Sequence, residues 1–215
     1  MKHKLPEKIF VTGIGTGVGK TLAAAVLCEA LSADYWKPIQ TGTTEVYDRE
    51  VVMHLVTNSK SKFHPESVAL KHPSSPHYAA AIENTQIELE QIRQPATANR
   101  LIIEGAGGVL VPISNEYVMV DMVDYFNWPV VVVVRNYLGS INHTLLTLEF
   151  LEMKGIQVLG LIFNGNEYNN NFDTVEHFSS MPVLGMFSET EAVSKEYVLQ
   201  QAENLRQTMS QFYEW

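Results

Sequence analysis

One glycine-rich segment, Gly13–Thr21, constrains this chain more than any other part of its sequence. It follows the apolar run Ile9–Val11 and precedes the Ala- and Leu-rich run Leu22–Leu31, an order that predicts a strand, a phosphate-binding loop and a helix. Glycines let backbone amides turn inward onto an anion, and the positive end of the helix adds to that attraction. In such a loop Lys20 reaches the β- and γ-phosphates and the Thr21 hydroxyl holds Mg²⁺. The segment therefore predicts nucleotide binding, with Thr21 as the first metal ligand.

The spacing of this loop separates it from two related loops. Five residues lie between Gly13 and Gly19, whereas the common Gly-x4-Gly-Lys-Thr pattern would need a glycine at Ile14. ATPases of the partitioning and septum-site type carry a second lysine at the position that Gly15 occupies here. A glycine-rich turn without a ligand is the alternative, but the preceding strand, the Gly-Lys-Thr sequence and the uninterrupted helix together favour a nucleotide site.

The composition is that of an ordinary globular protein, and the negative net charge limits the kinds of partner that it can bind. With 215 residues, 46% of them hydrophobic and 18% charged, the chain is long enough for one well-buried domain, and we assign residues 1–215 to a single phosphate-loop domain. The net charge of −9 disfavours sequence-independent binding to nucleic acid or to an anionic membrane. The single cysteine, Cys28, falls within the first helical run, where we expect a small buried side chain.

The sequence offers no segment of the kind that export or membrane insertion requires. The residues before the phosphate loop include two early lysines but no long apolar stretch, which argues against a signal peptide. The longest apolar run, Trp128–Val134, is far shorter than the ~20 residues that a membrane-spanning helix needs. We therefore expect a cytoplasmic protein.

Two charged residues follow or begin early predicted elements. Lys37 comes directly after the short predicted strand Asp34–Trp36, at the edge where ligands bind in open parallel sheets. A solvated surface lysine is the alternative on position alone. Asp48 opens a stretch of helical spacing that runs to Val56, and its carboxylate would suit the helix dipole by itself, although the nearby phosphate loop makes a metal role competitive. The pattern leaves both roles open.

Glu104 ends a third predicted strand, Arg100–Ile103, and precedes the glycine-rich stretch Gly105–Gly108. A carboxylate at the end of an apolar strand is the arrangement that phosphate-loop enzymes use for a second contact to Mg²⁺. A simple chain reversal is the alternative, but a buried sheet edge would otherwise avoid such a charge. Glu104 is therefore a second candidate metal ligand.

The rest of the chain alternates between predicted strands and helices. The β-branched run Val130–Val134 indicates a strand covered on both faces at the sheet centre. The other predicted elements are a long polar excursion over 57–78, a helix over Thr85–Ile92, a helix from about Ser140 as N-cap to Met153, strands over Val158–Phe163 and Pro182–Met186, and a helical tail within 191–213. This alternation predicts an α/β fold of the phosphate-loop NTPase kind, a doubly wound and mostly parallel sheet with helices on both faces.

Five separated motifs occur along the chain in a fixed order. They are Thr16-Gly17-Val18-Gly19-Lys20-Thr21, Lys37-Pro38 with Thr41-Gly42, Ser75-Pro76-His77, Glu104-Gly105-Ala106-Gly107-Gly108 and Gly139-Ser140-Ile141-Asn142-His143. Each motif alone is weak, but unrelated phosphate-loop proteins share only the first. With this order and spacing the chain resembles the dethiobiotin synthetase family from its first predicted strand to its last.

The resemblance implies an ATP- and Mg²⁺-dependent ligase of biotin biosynthesis. In that reaction 7,8-diaminopelargonate and CO₂ form a carbamate, the carbamate takes the γ-phosphoryl group of ATP, and the second amine displaces phosphate to close the cyclic urea of dethiobiotin. The charges agree with this chemistry, because an anionic carbamate approaching an anionic γ-phosphate needs cations between them.

The same resemblance implies a role for each matching residue. Thr21, Asp48 and Glu104 would be Mg²⁺ ligands, and the catalytic candidates are Lys37 at the carbamate and Lys20 and Thr16 at the phosphates. The nucleotide contacts would be Gly15, Thr16, Gly17, Val18, Gly19, Lys20, Thr21, Glu104 and, at the adenine, Asn164. The substrate contacts would be Lys37, Thr41, Gly107, Gly139, Ser140 and Asn142.

The resemblance also implies a two-fold homodimer with a shared substrate pocket. The turn Gly139–His143 would reach the phosphate loop of the neighbouring subunit, and the amides that open its helix could hold a substrate carboxylate. One alternative is another phosphate-loop amidoligase, which usually has a glutaminase domain for which 215 residues leave no room. The other is a nucleotide-switched partitioning ATPase acting on DNA or membrane, which Gly15 and the acidic charge disfavour.

Overall fold

The computed structural model describes residues 2–44, 46–166, 168 and 170–215. The strands within these residues are β1 (His3–Lys4), β2 (Lys8–Gly13), β3 (Asp34–Trp36), β4 (Ile39–Thr41), β5 (Phe63–His64), β6 (Val68–Leu70), β7 (Leu101–Glu104), β8 (Val130–Arg135), β9 (Val158–Asn164), β10 (Val183–Phe187) and β11 (Tyr213–Glu214). The α-helices are α1 (Lys20–Leu31), α2 (Asp48–Leu55), α3 (Pro76–Ile82), α4 (Met119–Tyr125), α5 (Ser140–Met153), α6 (Asn171–Ser179) and α7 (Lys195–Phe212).

The centre of the molecule is a seven-stranded sheet in the spatial order β10-β9-β8-β2-β7-β3-β5, and every neighbouring pair in it is parallel. Two short parallel pairs, β1 with β11 and β4 with β6, lie outside this sheet. Parallel neighbours require crossover connections, and the connecting helices cover the faces of the sheet. The predicted doubly wound α/β fold is confirmed.

Each face of the sheet has its own hydrophobic core. On one face α1 packs against α2 and α7, and this core takes Val131 and Val133 from β8. The other core includes residues of α4 and α5 and takes Val130, Val132 and Val134 from the same strand. Successive side chains of a strand point to opposite faces, so β8 is buried on both sides, as the unbroken valine run predicted.

The order of the strands places the phosphate loop at a switch point. The strands β3, β5 and β7, which follow β2 in the chain, lie on one side of it. The later strands β8, β9 and β10 lie on the other side. The loop after β2 and Glu104 at the end of β7 meet there, because Val11 and Glu104 are partners in the register of these two strands. In open α/β sheets, ligands bind outside the carboxyl ends of the strands at such a point.

The predicted helix over Thr85–Ile92 is wrong. This stretch contains a single 3₁₀ turn at Leu89–Gln91, and its flanking residues are extended. The side chains of Ile87, Leu89 and Ile92 are buried, as the prediction required. The spacing of the first two, however, suits an extended chain as well as a helix, so periodicity alone could not separate the two structures.

The stretch 57–78 is more ordered than predicted. It contains β5 and β6, and α3 begins at Pro76. Pro76 lies at the first position of this helix, where the missing amide hydrogen costs nothing and the fixed backbone angle fits. The Ser75-Pro76 sequence is thus a helix start, which the sequence analysis missed.

The start of α5 also differs from the prediction. Gly139, at φ 105°, is the N-cap, and Ser140 is the first helical residue. The Ser140 hydroxyl does not cap the helix; it accepts a hydrogen bond of 2.9 Å from Asn171 Nδ2 in α6. The side chain that was predicted to cap the helix is therefore engaged in a tertiary hydrogen bond instead. Helix α4 was not predicted, and α1 begins at Lys20, two residues before the predicted start at Leu22.

A buried carboxylate stabilises the opposite edge of the sheet. Asp34, fully buried at the start of β3, accepts hydrogen bonds from Thr97 Oγ1 at 2.7 Å, Asn99 Nδ2 at 2.8 Å and the Lys62 amide at 2.9 Å, and His64 Nε2 lies 2.8 Å from it. Burial alone would raise the pKa of Asp34, but these hydrogen bonds hold that pKa below its ordinary value. The cluster joins three loops and lies away from the phosphate loop.

Cys28 is fully buried and makes no disulfide, and burial raises the pKa of its thiol well above the ordinary value, as expected of an inert core side chain. Among the helices in the described part of the chain, none combines the length and the hydropathy that crossing a bilayer would need.

Candidate active site

The loop between β2 and α1 has the backbone of a phosphate-binding loop. Gly17 and Gly19 adopt left-handed backbone angles, with φ of 73° and 98°. A side chain at Gly19 would also collide with Asn164, because a Cβ there would lie 2.1 Å from Asn164 Nδ2. Two glycines of the predicted loop are thus required by its conformation, and one of them also by its packing.

Lys20 is folded back over this loop. Its ammonium donates a hydrogen bond of 2.9 Å to the carbonyl oxygen of Gly15, and its side chain is buried. The pKa of Lys20 is lowered to about 8, chiefly because burial disfavours the charged form; the nearby Lys37 also lowers it, and Glu104 and Asp48 partly oppose the shift. Among the described residues, the Gly15 carbonyl is the only hydrogen-bond partner of this ammonium, and an anion in the loop would stabilise its charge.

Four predicted residues from four separate parts of the chain meet beside the loop. The Thr21 hydroxyl in α1 lies 2.9 Å from Glu104 Oε1 at the end of β7 and 3.2 Å from Asp48 Oδ1 at the start of α2. Lys37, after β3, donates to Glu104 Oε1 at 3.1 Å and forms an ion pair with Asp48 Oδ2. The structure therefore brings together all three predicted metal ligands and the lysine predicted for the substrate.

The charge of Lys37 is held by the two carboxylates. The lysine is only 6% exposed, and Glu104 is 1% exposed. Burial by itself would lower the pKa of Lys37, but the attraction of Glu104 and Asp48 exceeds that effect and places the pKa above its ordinary value. Lys37 is therefore a cation at every working pH, and the solvated-surface alternative for it is excluded.

The oxygen atoms at this point suit a magnesium ion. The Thr21 hydroxyl has one hydrogen and two carboxylate neighbours, Asp48 and Glu104. It can donate to only one of them at a time, so the other carboxylate oxygen faces the hydroxyl oxygen with no hydrogen between them. Two carboxylates and a hydroxyl are hard oxygen donors of the kind that Mg²⁺ prefers, and Mg²⁺ keeps waters or phosphate oxygens in its other positions. Within the described residues no group of three or more His, Cys, Asp or Glu side chains forms a separate metal site.

A cleft of about 730 Å³ opens over these groups. Its lining includes most of the predicted loop and the predicted substrate residues Thr41 and Gly107, and residues that the sequence analysis did not single out, such as Gln40 and Val111, complete its walls. The residues that line the cleft are Thr16, Gly17, Gly19, Lys20, Thr21, Lys37, Gln40, Thr41, Gly42, Val46, Asp48, Pro73, Ser74, Ser75, Pro76, Glu104, Ala106, Gly107 and Val111. His77, from the same motif as Ser75 and Pro76, lines a separate cavity of about 230 Å³.

Several predicted residues lie outside this cleft. Gly139, Ser140 and Asn142 are not part of its lining, although Asn142 is exposed to solvent. Asn164 lies behind the loop, where its amide donates a hydrogen bond of 2.9 Å to the Val18 carbonyl oxygen. The side chain of Val18 is buried in the core, so this residue can meet a nucleotide only through its backbone. In this chain the cleft therefore combines the phosphate and metal residues but not the predicted carboxylate-binding turn.

Tyr35 is a residue of this site that the sequence analysis missed. Its hydroxyl donates a hydrogen bond of 2.8 Å to Glu104 Oε2. Burial, followed by the charge of Glu104, raises the pKa of Tyr35 well above its ordinary value, so the hydroxyl keeps its proton. The available signal was its spacing, because Tyr35 and Lys37 lie two residues apart and side chains at that spacing share one face of a strand.

Comparison with known proteins gives relatives over nearly the whole chain. A family model described as an AAA domain matches residues 7–197. The ATP-dependent dethiobiotin synthetase of Christiangramia forsetii is 41% identical over 205 residues, covering 95% of this chain and 99% of that protein. The ATP-dependent dethiobiotin synthetase of Paramagnetospirillum magneticum is 44% identical over 186 residues, covering 86% of this chain and 90% of that protein.

Solved structures with a similar fold are much more distant in sequence. The septum site-determining protein of Pyrococcus horikoshii, solved in complex with Mg-ADP, superimposes with a TM-score of 0.58. Its sequence is 14% identical, and the match covers 94% of this chain and 92% of that one. This likeness supports the phosphate-loop fold and carries no information about the reaction.

Proposed function

This chain belongs to the family of ATP-dependent dethiobiotin synthetases, and from that premise we propose how its residues carry out the reaction. The protein is an ATP-dependent ligase of biotin biosynthesis. We propose that its substrates are ATP, CO₂ and 7,8-diaminopelargonate and that its product is dethiobiotin. The observation that carries the proposal is the meeting of Lys20, Thr21, Lys37, Asp48 and Glu104 at one end of the cleft.

The reaction we propose has three steps and no covalent enzyme intermediate. One amine of the substrate attacks CO₂ and loses a proton, which gives a carbamate anion. A carbamate oxygen then attacks the γ-phosphorus of ATP and ADP leaves, which gives a carbamic-phosphoric anhydride. The second amine attacks the carbonyl carbon of this anhydride, phosphate leaves, and loss of a proton completes the cyclic urea.

The residues supply charge and position for these steps. The ammonium of Lys20 donates to the Gly15 carbonyl oxygen in the loop, and the phosphates of ATP would replace this carbonyl as its partner. Lys37 faces the cleft between two carboxylates and would neutralise the carbamate as it approaches the γ-phosphate. Positioned cations that act on charge developing in the transition state are commonly the largest contribution of an enzyme to its rate. Thr16, exposed at the cleft, would contact the phosphates.

We propose that Thr21, Asp48 and Glu104 hold a magnesium ion in the working enzyme. When bound, Mg²⁺ would neutralise charge on the β- and γ-phosphates. The carboxylates that bind it would then no longer need Lys37 as their counter-ion. The ammonium of Lys37 would thereby become available for the carbamate.

The function is tested by measuring phosphate release with substrates added singly and together. We expect release that requires Mg²⁺, ATP, bicarbonate and 7,8-diaminopelargonate jointly, with dethiobiotin identified by mass spectrometry. Lys20→Met should abolish release, whereas Lys154→Ala, outside the cleft, should retain it. ATP turnover that ignores the diamine, or that responds to DNA or lipid, would contradict the proposal and favour a partitioning-type ATPase.

We also propose a homodimer whose substrate pocket is shared. The turn around Gly139 is absent from the lining of its own cleft, which leaves it available to a neighbouring subunit. An apolar groove runs beside the phosphate loop, and Leu110 and Leu146, which line it, are 55% and 60% exposed. Large apolar side chains of this exposure in one groove are typical of a surface that another molecule covers. A second copy, docked there with two-fold symmetry, could bring Asn142 to the neighbour's site.

Mixed dimers test the shared pocket. Lys37→Ala removes one half of each site, and Asn142→Trp, by filling the carboxylate pocket, removes the other half. Each variant alone should be nearly inactive, but in a two-fold heterodimer one site collects both lesions and the other collects neither. Equal mixtures with random exchange should therefore regain roughly a quarter of wild-type sites, since about half of all dimers are mixed. If native mass spectrometry confirms exchange and activity does not return, the pocket is not shared.

A further inference from the structure

Tyr35, Lys37 and Glu104 belong to one face of the central sheet. In the register of β3 and β7, Tyr35 is the partner of Ile102, which lies two residues before Glu104. Residues two apart on a strand point to the same face, so Tyr35 on β3 and Glu104 on β7 both face α1, and Lys37, which follows directly after β3, contacts Glu104 on that side. The core on that face includes both Tyr35 and Ile102, in agreement with the register. Thr21 lies in the first turn of α1, directly above them.

The two oxygens of the Glu104 carboxylate have different partners. Oε1 is the acceptor for Lys37 at 3.1 Å and for Thr21 at 2.9 Å, and it faces the cleft. Oε2 accepts the Tyr35 hydroxyl at 2.8 Å, on the side away from these groups. Among the described residues, Tyr35 is the only hydrogen-bond donor to Oε2, and Glu104 is its only acceptor.

Packing alone does not require a hydroxyl at Tyr35. The residue is 0% exposed and its ring lies in an apolar core, where phenylalanine would fill the same space. A buried hydroxyl is costly unless it finds a partner, so its presence in this core indicates that the bond to Glu104 matters. The terminal torsion of a glutamate side chain is soft, and the carboxylate could therefore turn if Oε2 lost its donor.

We propose that Tyr35 is a positioning residue for the metal site: it holds Oε2 of Glu104 so that Oε1 stays directed at Thr21, Lys37 and the magnesium ion. This inference rests on the proposed role of Glu104 as a Mg²⁺ ligand. Partners that orient a ligand from behind are commonly worth 10–100-fold in metal affinity, and Tyr35 has that position here. Its contribution is greatest when Lys37 turns to the substrate, because one fewer donor then holds the carboxylate.

The test is the affinity for Mn²⁺, a spectroscopic substitute for Mg²⁺, measured without turnover. Electron paramagnetic resonance of free Mn²⁺ gives the dissociation constant of the full-length protein with ADP bound. We expect Tyr35→Phe to weaken Mn²⁺ binding roughly 10–100-fold. The Mg²⁺ concentration for half-maximal phosphate release should rise by the same factor, while the rate at saturating Mg²⁺ changes much less.

A second tyrosine provides the matched control. Tyr213 is also buried, and its hydroxyl donates a hydrogen bond of 2.6 Å to the Leu159 carbonyl oxygen, outside the cleft. Tyr213→Phe removes the same atom and should leave Mn²⁺ affinity unchanged. Replacing Tyr35 with 4-aminophenylalanine restores a donor at the same place and should return affinity to near the wild-type value.

The possible results separate this inference from the proposed function. If the wild-type protein binds no Mn²⁺ with ADP, the metal site itself is wrong. If the wild type binds Mn²⁺ and Tyr35→Phe binds it equally well, the positioning role is wrong. Should Tyr35→Phe fail to fold while the 4-aminophenylalanine protein folds and binds Mn²⁺, the donor at position 35 is required and the inference stands. If neither Tyr35→Phe nor the 4-aminophenylalanine protein folds, the phenol is needed for the core alone, and the inference is overturned.

Discussion

Replacing Lys37 with alanine removes the cation that joins Asp48 and Glu104 in the nucleotide-free protein. At the 3.1 Å between Lys37 and Glu104, the attraction of one unit-charge pair is roughly 5 kcal/mol at an effective dielectric constant of about 20. Part of this gain offsets the desolvation of the lysine, and removing one partner of a buried pair costs about 3–5 kcal/mol net. Because the Asp48 side chain is 28% exposed, we expect the lower end, about 3 kcal/mol.

Thermal unfolding measures this loss. For a chain of this size, about 3 kcal/mol corresponds to a decrease in Tm of roughly 6–12 °C. Saturating Mg²⁺ should restore much of the decrease, because the ion supplies positive charge between the same carboxylates, whereas the wild-type protein should gain less. The variant should also bind Mn²⁺ more tightly than the wild type in the absence of nucleotide, since no ammonium competes for the site.

A matched variant and the activity complete this experiment. Lys154 lies 3.5 Å from Asp121 with both side chains substantially exposed, so Lys154→Ala should cost roughly 0–1 kcal/mol and leave the Mg²⁺ effect unchanged. Turnover of Lys37→Ala should fall roughly 10²–10³-fold while ATP still binds. If Lys37→Ala melts like the wild type, or if Mg²⁺ stabilises both proteins equally, Lys37 does not act as the counter-ion of these carboxylates. Equal losses of ATP affinity and turnover would instead place it in the nucleotide site.

Two further predictions concern the loop and the opposite edge of the sheet. Gly19→Ala should lower the free energy of unfolding by roughly 1–3 kcal/mol and abolish ATP binding in calorimetry, because a Cβ there collides with Asn164 on a left-handed backbone. Gly15→Ala meets no atom within 4 Å and should unfold within about 0.5 kcal/mol of the wild type; equal losses in both would contradict the packing argument. Thr97→Val removes a donor from Asp34 and should raise the pKa of that carboxyl toward its unfolded value of about 3.9. A carboxyl whose pKa is lower in the folded state stabilises the fold above its unfolded pKa, and this stabilisation is lost as pH falls. The difference in free energy of unfolding between variant and wild type, measured in urea, should therefore be constant above about pH 5 and shrink below about pH 4.

Features with a local signal could be predicted from the sequence. The strand, glycine loop and helix around Lys20 depend on residues that are neighbours in the chain, and so does the buried strand at Val130–Val134. Glu104 was identified because a charge at the end of an apolar strand is itself a local pattern. The dethiobiotin synthetase family could likewise be inferred from the order of five motifs, which needs no coordinates.

Predictions failed where a local pattern fitted two structures or where a distant residue took the side chain. The spacing of Ile87 and Leu89 fits a helix and an extended chain, and the extended backbone is the one that buries both here. Ser140 has the residue type of a helix cap, but Asn171 in another helix takes its hydroxyl. In both cases the observed structure depends on packing against residues that are distant in the chain, and a short stretch of sequence does not contain that information.

The residues with the chemistry for this site can be recognised in the sequence, but which of them meet depends on how the strands and helices pack. Lys37 and Glu104 come together only because β3 pairs with β7, and Asp48 reaches them because α2 begins beside the same edge. The bond from Tyr35 to Glu104 has the same origin, since it depends on the register between two strands far apart in the chain. Alternation along one strand is a local property that fixes the face on which a side chain lies. The identity of the neighbouring strand is a property of the whole sheet, because it depends on how all the strands and helices pack together.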